Sequence, residues 1–202
     1  MSTFTNKLVD FALGEWDFFG QPQYNLNGTT KDGKKEHHDG AWQRIGDYWK
    51  KIGGPYANLT GKDTGTPWSA AFISFCMGHA GAGNKFKYSA GHSTYVNAAI
   101  RAANANNRNA AFRAHKKANH ALKPGDLVGY WRGSTPISIG NALNAGWYQS
   151  HTDVVVEVGN KFAYVIGGNV GHSVTRKQLR TNASGHLVDT GYKWFVVMEN
   201  QL

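Results

Sequence analysis

The segment Trp68 to Met77, Trp-Ser-Ala-Ala-Phe-Ile-Ser-Phe-Cys-Met, carries no charge, and after the Trp68 indole its side chains hold no polar group larger than a hydroxyl or thiol. Ahead of it, Thr66-Pro67 offers an N-cap followed by a proline at the first helical position, and Gly81 or Gly83 offers a stop. A helix that is apolar nearly all round has no face to give to water, so the rest of the chain must wrap around it. With 202 residues and 41% hydrophobic content, the chain has material for one such core and hardly for two. Residues 1–202 are expected to form a single domain.

Before this segment, Leu8, Val9, Phe11, Ala12, Leu13 and Trp16 follow helical spacing toward Gly20, and Trp42, Ile45, Tyr48, Trp49 and Ile52 do so up to Gly53-Gly54-Pro55. A further helix is expected from Ser93 through Ala103. From Pro124 the period changes. The runs Asp126–Trp131, Asp153–Val158, Phe162–Ile166 and Tyr192–Met198 are β-branched and aromatic, with Gly159-Asn160 as a hairpin turn. Helices first and an antiparallel sheet afterwards predict an α+β domain with N-terminal helices packed on a C-terminal sheet.

The formal charge of +9 would concentrate an anionic polymer around the protein. The cations are scattered over Lys31–Lys35, Arg113–Lys117 and Arg176–Arg180 without interleaved aromatics, so a nucleic-acid platform is not expected. Cys76 is the only cysteine, which excludes an internal disulfide. No apolar run reaches the length of a membrane span, and the N-terminus lacks the continuous apolar stretch of a signal peptide. The chain is expected to be made in the cytoplasm without a cleavable leader and not to insert into a membrane.

Three segments can carry chemistry. Ser69 falls in the first turn of the buried helix, where unpaired amides and the positive end of the dipole favour a developing anion. His151 and Asp153 in Ser150-His151-Thr152-Asp153 share one face of a strand. Asn169, in Ile166-Gly167-Gly168-Asn169-Val170, could bring an amide beside the imidazole. His92 is the second candidate for a catalytic histidine, and Trp68, Tyr88 and Tyr95 are candidate substrate-binding walls. Cys76 reads as a small buried hydrophobe, and His37-His38-Asp39 as a surface loop.

Trp-Ser-Ala-Ala-Phe-Ile-Ser resembles the Trp-Cys-Ala-x-Phe-Val opening of CHAP and NlpC-type peptidoglycan amidases and endopeptidases, with Ser69 at the position of the nucleophilic cysteine. Lys123-Pro124-Gly125-Asp126 resembles their Pro-Gly-Asp turn, and Ser150-His151 the Gly-His that supplies their base. The chain also resembles a family of uncharacterised bacterial and phage domains that itself writes Pro-Trp-Ser-Ala-Ala-Phe-Ile-Ser. That family shares Glu15-Trp16, Tyr88-Ser89-Ala90-Gly91-His92, Ser150 to Asp153 and Ile166 to Val170. These resemblances imply a papain-like fold and hydrolysis of cell-wall peptide or amide bonds, with Ser69 as nucleophile, His151 as base and Asp153 or Asn169 orienting it. No cofactor is implied. The target they imply is peptidoglycan, reached in the periplasm or wall of another cell by an antibacterial effector or by a phage lysis enzyme, and an effector would be expected to have a cognate immunity protein.

A serine is much harder to deprotonate than the thiol it replaces, so its use requires an adjacent histidine base. Two other readings start from that difficulty. In one, His92, His151 and Asp153 hold zinc and a bound water attacks. In the other, the chain is a non-catalytic wall-binding module that retains the cleft.

Overall fold

The computed structural model describes residues 1–202. Helix α1 (Thr3–Phe18) is capped by Ser2, whose hydroxyl accepts from the Thr5 amide at 3.1 Å, and it buries Thr5, Leu8, Ala12 and Glu15 along one face. Helix α2 (Ala41–Ile52) buries Ala41, Ile45, Tyr48 and Trp49 and ends with Lys50 and Lys51, where the helix dipole favours cations. Helix α3 (Ser69–Ala80) is buried at every position except Gly78 and His79. Helix α4 (His92–Asn104) and the single turn α5 (Ala142–Ala145) complete the helical part.

Strands β1 (Gln23–Tyr24), β2 (Thr30–Lys31), β3 (Phe112–His115), β4 (Leu127–Trp131), β5 (Ser150–Gly159), β6 (Phe162–Val170), β7 (Ser173–Arg180) and β8 (Trp194–Asn200) form one sheet in the order β2-β1-β7-β6-β5-β4-β8-β3. Every neighbouring pair is antiparallel except β1 with β7. The architecture is therefore α+β, as the change of period at Pro124 predicts. Leu127, Val154, Ile166, Val196 and Met198 face the helices, while Val128, Tyr130, Val155, Val165 and Val197 face the opposite side beneath Leu187 and Trp194. This alternation gives the sheet two apolar faces.

Several elements differ from the sequence expectation. The buried helix begins at Ser69 with Trp68 as its N-cap, not at Thr66-Pro67, because the Thr66 amide closes a turn onto the Asp63 carbonyl at 3.0 Å. Strands β1, β2, β3 and β7 were not expected. In β7 the inward positions are Thr175, Lys177 and Leu179, so a buried strand reads as a charged surface segment.

Two polar contacts organise the helical layer. The buried Glu15 carboxylate accepts from Arg44 Nε at 3.0 and 3.1 Å and from the Tyr48 hydroxyl, joining α1 to α2 beside α3. The Trp16 indole donates to the Pro22 carbonyl at 2.7 Å. The α3–β6 contact then depends on Gly168. A Cβ there would lie 2.7 Å from Phe72 Cγ and 2.9 Å from Trp68 Cζ3. Gly168→Ala must push α3 off the sheet at its first turn. The expected cost is about 1–3 kcal/mol of overpacking, read as a melting temperature lowered by roughly 2–10 °C; an unchanged melting temperature would show that this contact is not tight.

Candidate active site

Site construction begins one residue before the helix. Trp68 is 1% exposed, packs against Phe19 and Tyr48, and donates its indole N–H to Glu36 Oε2 at 2.8 Å. The other Glu36 oxygen meets His172 Nδ1 at 2.8 Å. With Trp68 fixed in the core, Ser69 takes the first helical position and its hydroxyl does not cap the helix. The amides of Ser69, Ala70 and Ala71 have no backbone acceptor, as expected in a first turn.

Ser69 Oγ lies 2.6 Å from His92 Nε2. His92 is the first residue of α4, so two helix N-termini bring the hydroxyl and the imidazole together. Its other nitrogen, Nδ1, is 2.9 Å from Thr152 Oγ1 and also meets the Tyr95 hydroxyl, which is itself 2.9 Å from Thr152 Oγ1. All of these groups are buried. Burial, reinforced by His151 and Arg132 and partly opposed by Asp153, holds the His92 imidazole well below its usual pKa. It is neutral near pH 7. When Nε2 accepts the Ser69 proton, Nδ1 carries the remaining hydrogen, and Thr152 and Tyr95 supply its acceptors.

His151 does not occupy the place expected of the base. Alternation along β5 turns Thr152 and Val154 toward the helices and sends His151 and Asp153 with Val155 to the other face. His151 Nε2 bonds Asp153 Oδ1 at 3.1 Å, and its ring centroid is 5.1 Å from that of His92. Asp153 thus orients His151, as expected, and through Oδ2 it also pairs with Lys177 at 2.8 Å. That ion pair lies off hydrogen-bond angles, and Lys177 Nζ instead sits 4.5–5.4 Å from the ring centroids of Tyr192, Tyr130 and Trp194. Burial would raise the Asp153 pKa, but Lys177 and then His151 outweigh it and bring it down to about 2. His151, penalised mainly by burial, is shifted down despite Asp153.

The remaining expectations divide. Asn169 adopts a left-handed φ of 55° at the irregularity between Gly167 and Val170, and its amide bonds neither histidine. Gly167 explains why Gly-Gly precedes it: any Cβ there would collide with Asp153 Oδ1 and His151 Nε2. Trp68 is core and not a wall. Tyr88 stands outside the cleft under Lys51, and Tyr95 holds His92 from behind. Cys76 is fully buried, and burial pushes its thiol up. His92, His151 and Asp153 do not bring one ligand atom each within 4.8 Å of one another, and both His92 nitrogens and His151 Nε2 already contact Ser69, Thr152, Tyr95 or Asp153.

A cleft of about 420 Å³ opens over Ser69 and His92. Its rim is formed by Tyr56, Arg132, Trp147, Tyr148 and Gln149, with Trp147 71% exposed. Sequence reasoning missed Thr152, Lys177, Glu36 and this rim. Thr152 alone had a usable signal, since strand alternation places it opposite His151.

Neither a curated protein nor a solved structure matches the chain. A family profile does, over residues 36–200, which takes in α2 through β8 and every residue of the site just described. The chain therefore belongs to the family described as "Uncharacterized protein conserved in bacteria (DUF2272)".

Proposed function

We propose that this protein is a serine hydrolase that cleaves peptide or amide bonds of bacterial peptidoglycan, with Ser69 as nucleophile and His92 as general base. The observation that carries this reading is the 2.6 Å contact between Ser69 Oγ and His92 Nε2 at the mouth of a cleft and at the N-terminus of a buried helix. As Ser69 Oγ attacks a carbonyl carbon, its proton moves to His92 Nε2, and the oxyanion gathers at the free amides of the first turn of α3. His92 then returns the proton to the leaving amine, and water repeats the sequence in reverse order on the acyl-enzyme. Thr152 and Tyr95 take the orienting role that a carboxylate has in the usual triad.

The substrate class is supported by the resemblance to CHAP and NlpC-type enzymes, by the net charge of +9 and by the cleft rim. Arg132 can meet a peptide carboxylate, and Trp147 and Tyr56 can stack on a sugar or peptide face. The papain-like relationship belongs to the same proposal: a helix bearing the nucleophile at its N-terminus packs on an antiparallel sheet. One departure accompanies it, because the base comes from α4 and the strand contributes Thr152. An antibacterial effector or phage lysis enzyme is the setting we infer, and an immunity protein would occlude the Trp147 rim.

Incubation with purified sacculi, followed by mass spectrometry of released muropeptides, tests the assignment. Ser69→Ala and His92→Gln are each expected to lower the rate by about 10³-fold or more, whereas His151→Gln lowers it less than His92→Gln. Full activity in Ser69→Ala rules out the nucleophile. Sacculus binding without products in the native chain, with products appearing only in Ser69→Cys, would identify the wall-binding module instead.

The depressed His92 sets the pH dependence. Its activity profile should stay flat from pH 8 to well below 6.5, and an acid limb near 6.5 would mean that His92 is solvated and ordinary. Stability follows the same sign. His92 and His151 stay neutral in the folded chain, while unfolded imidazoles take up protons near pH 6.5. The unfolded state then binds more protons, so stability is full above about pH 6.5 and falls below it, by at most about 1.4 kcal/mol per pH unit for each histidine. Urea denaturation at pH 7.5 and 5.5 measures the difference.

A further inference from the structure

Outside the Ser69 cleft, one other group of side chains converges. His115 ends the edge strand β3, His120 lies in the connection to β4, and Glu199 is on β8. One ligand atom from each lies within 4.8 Å of the other two, and no other three His, Cys, Asp or Glu side chains do this. His115 Nε2 is 2.9 Å from Glu199 Oε2, and the two imidazole rings stack at 4.9 Å.

The second contact of His120 makes this more than a cluster. Its Nε2 is 2.8 Å from Asp126 Oδ2, a buried carboxylate that also accepts from the Lys123 and Asn200 amides at 2.9 and 3.0 Å. That carboxylate already accepts from two backbone amides, and a hydrogen bond to it from His120 places the ring hydrogen on Nε2 and leaves the Nδ1 lone pair free. That pairing orients the ring and fixes its tautomer, as a carboxylate behind a metal-binding imidazole does. A tetrahedral zinc ion with bonds of about 2.0–2.1 Å sets its ligand atoms about 3.3 Å apart, which small side-chain rotations reach from 4.8 Å. Two imidazoles with one carboxylate suit zinc and not calcium or magnesium, which take oxygen ligands. His115 and Glu199 are about a quarter exposed, which leaves a path for the ion and a fourth position for water.

We propose that His115, His120 and Glu199 form a Zn²⁺ site that clips the edge strand β3 and the 116–121 connection onto β8. None of the three lines the Ser69 cleft, so the role is structural and separate from the chemistry proposed above.

Chelator-treated protein titrated with Zn²⁺ by calorimetry should bind one ion with a micromolar or tighter Kd, and a hundredfold excess over Kd should raise the melting temperature by roughly 5–10 °C. Glu199→Gln and His115→Gln should each weaken binding at least tenfold and abolish the thermal shift. The His37→Gln/His38→Gln chain, altered at the other paired histidines, should bind as the native protein does. Absence of saturable binding, or an unchanged Kd in both site variants, overturns the proposal. Zinc-edge anomalous diffraction from native crystals decides independently of folding in the variants, since an ion located anywhere else also overturns it.

Discussion

A helix with no polar face has to be enclosed, and the enclosure of α3 determines most of what surrounds it. α1 and α2 cover it on one side, tied together by the Glu15 carboxylate with Arg44 and Tyr48, and the β5–β6 pair closes the other side. Only the first turn is left facing a cleft. Orphan amides are costly in a sealed core and useful in a cleft, so the position at which α3 emerges is the position at which it can bind a developing oxyanion. Glu36 controls that position from outside the helix by holding the Trp68 indole, which fixes where Ser69 starts the turn.

The same enclosure is what would make a serine workable in the proposed hydrolysis. In water a hydroxyl beside an imidazole is a poor nucleophile, because both groups are solvated and the imidazole is partly protonated. Here His92 is kept neutral by burial, its Nε2 is already in contact with Ser69, and its Nδ1 is held by two hydroxyls that cannot take the hydrogen away. Asp153 stands one layer further back, shared between His151 and Lys177. Its charge is largely matched by Lys177, so the network below His92 adds rigidity while adding little negative potential. Losing either member of that pair would leave an uncompensated charge in an apolar enclosure, a change that disrupts the fold before it disrupts chemistry.

Much of this was legible in the sequence because apolar periodicity is a direct consequence of burial. The helices at Leu8–Trp16, Trp42–Ile52 and Ser93–Ala103 and the strands around Val128, Val155 and Val197 are written in residues that match their surroundings. β7 was not legible. Its buried Lys177 is stabilised by an ion pair and three aromatic rings contributed by other strands and loops, and local pattern holds no trace of them. The same limit governed the choice of histidine. His151 beside Asp153 is conspicuous along the chain, whereas the pairing of Ser69 with His92 exists only where two helix N-termini meet in space. Strand alternation did carry a clue: if Val154 faces the helices, Thr152 faces them too and His151 does not.

In the proposed reaction, an orienting pair of hydroxyls changes the balance of the two proton transfers. In the usual triad a carboxylate stabilises the imidazolium that forms when the serine is deprotonated, by a charge-assisted hydrogen bond about twice as strong as a neutral one. Thr152 and Tyr95 offer only neutral acceptors, so the first transfer is less favoured and the base is weaker. The imidazolium that does form is correspondingly a stronger acid, and the amine that leaves in amide cleavage is a poor leaving group until it is protonated. A site built this way gives up driving force in the attack and regains it in the collapse of the tetrahedral intermediate, provided the α3 amides hold that intermediate long enough for His92 to turn its proton toward the amine. The burden of stabilisation therefore rests on the first turn of α3, which is the part of the molecule that Trp68, Glu36 and Gly168 hold in place.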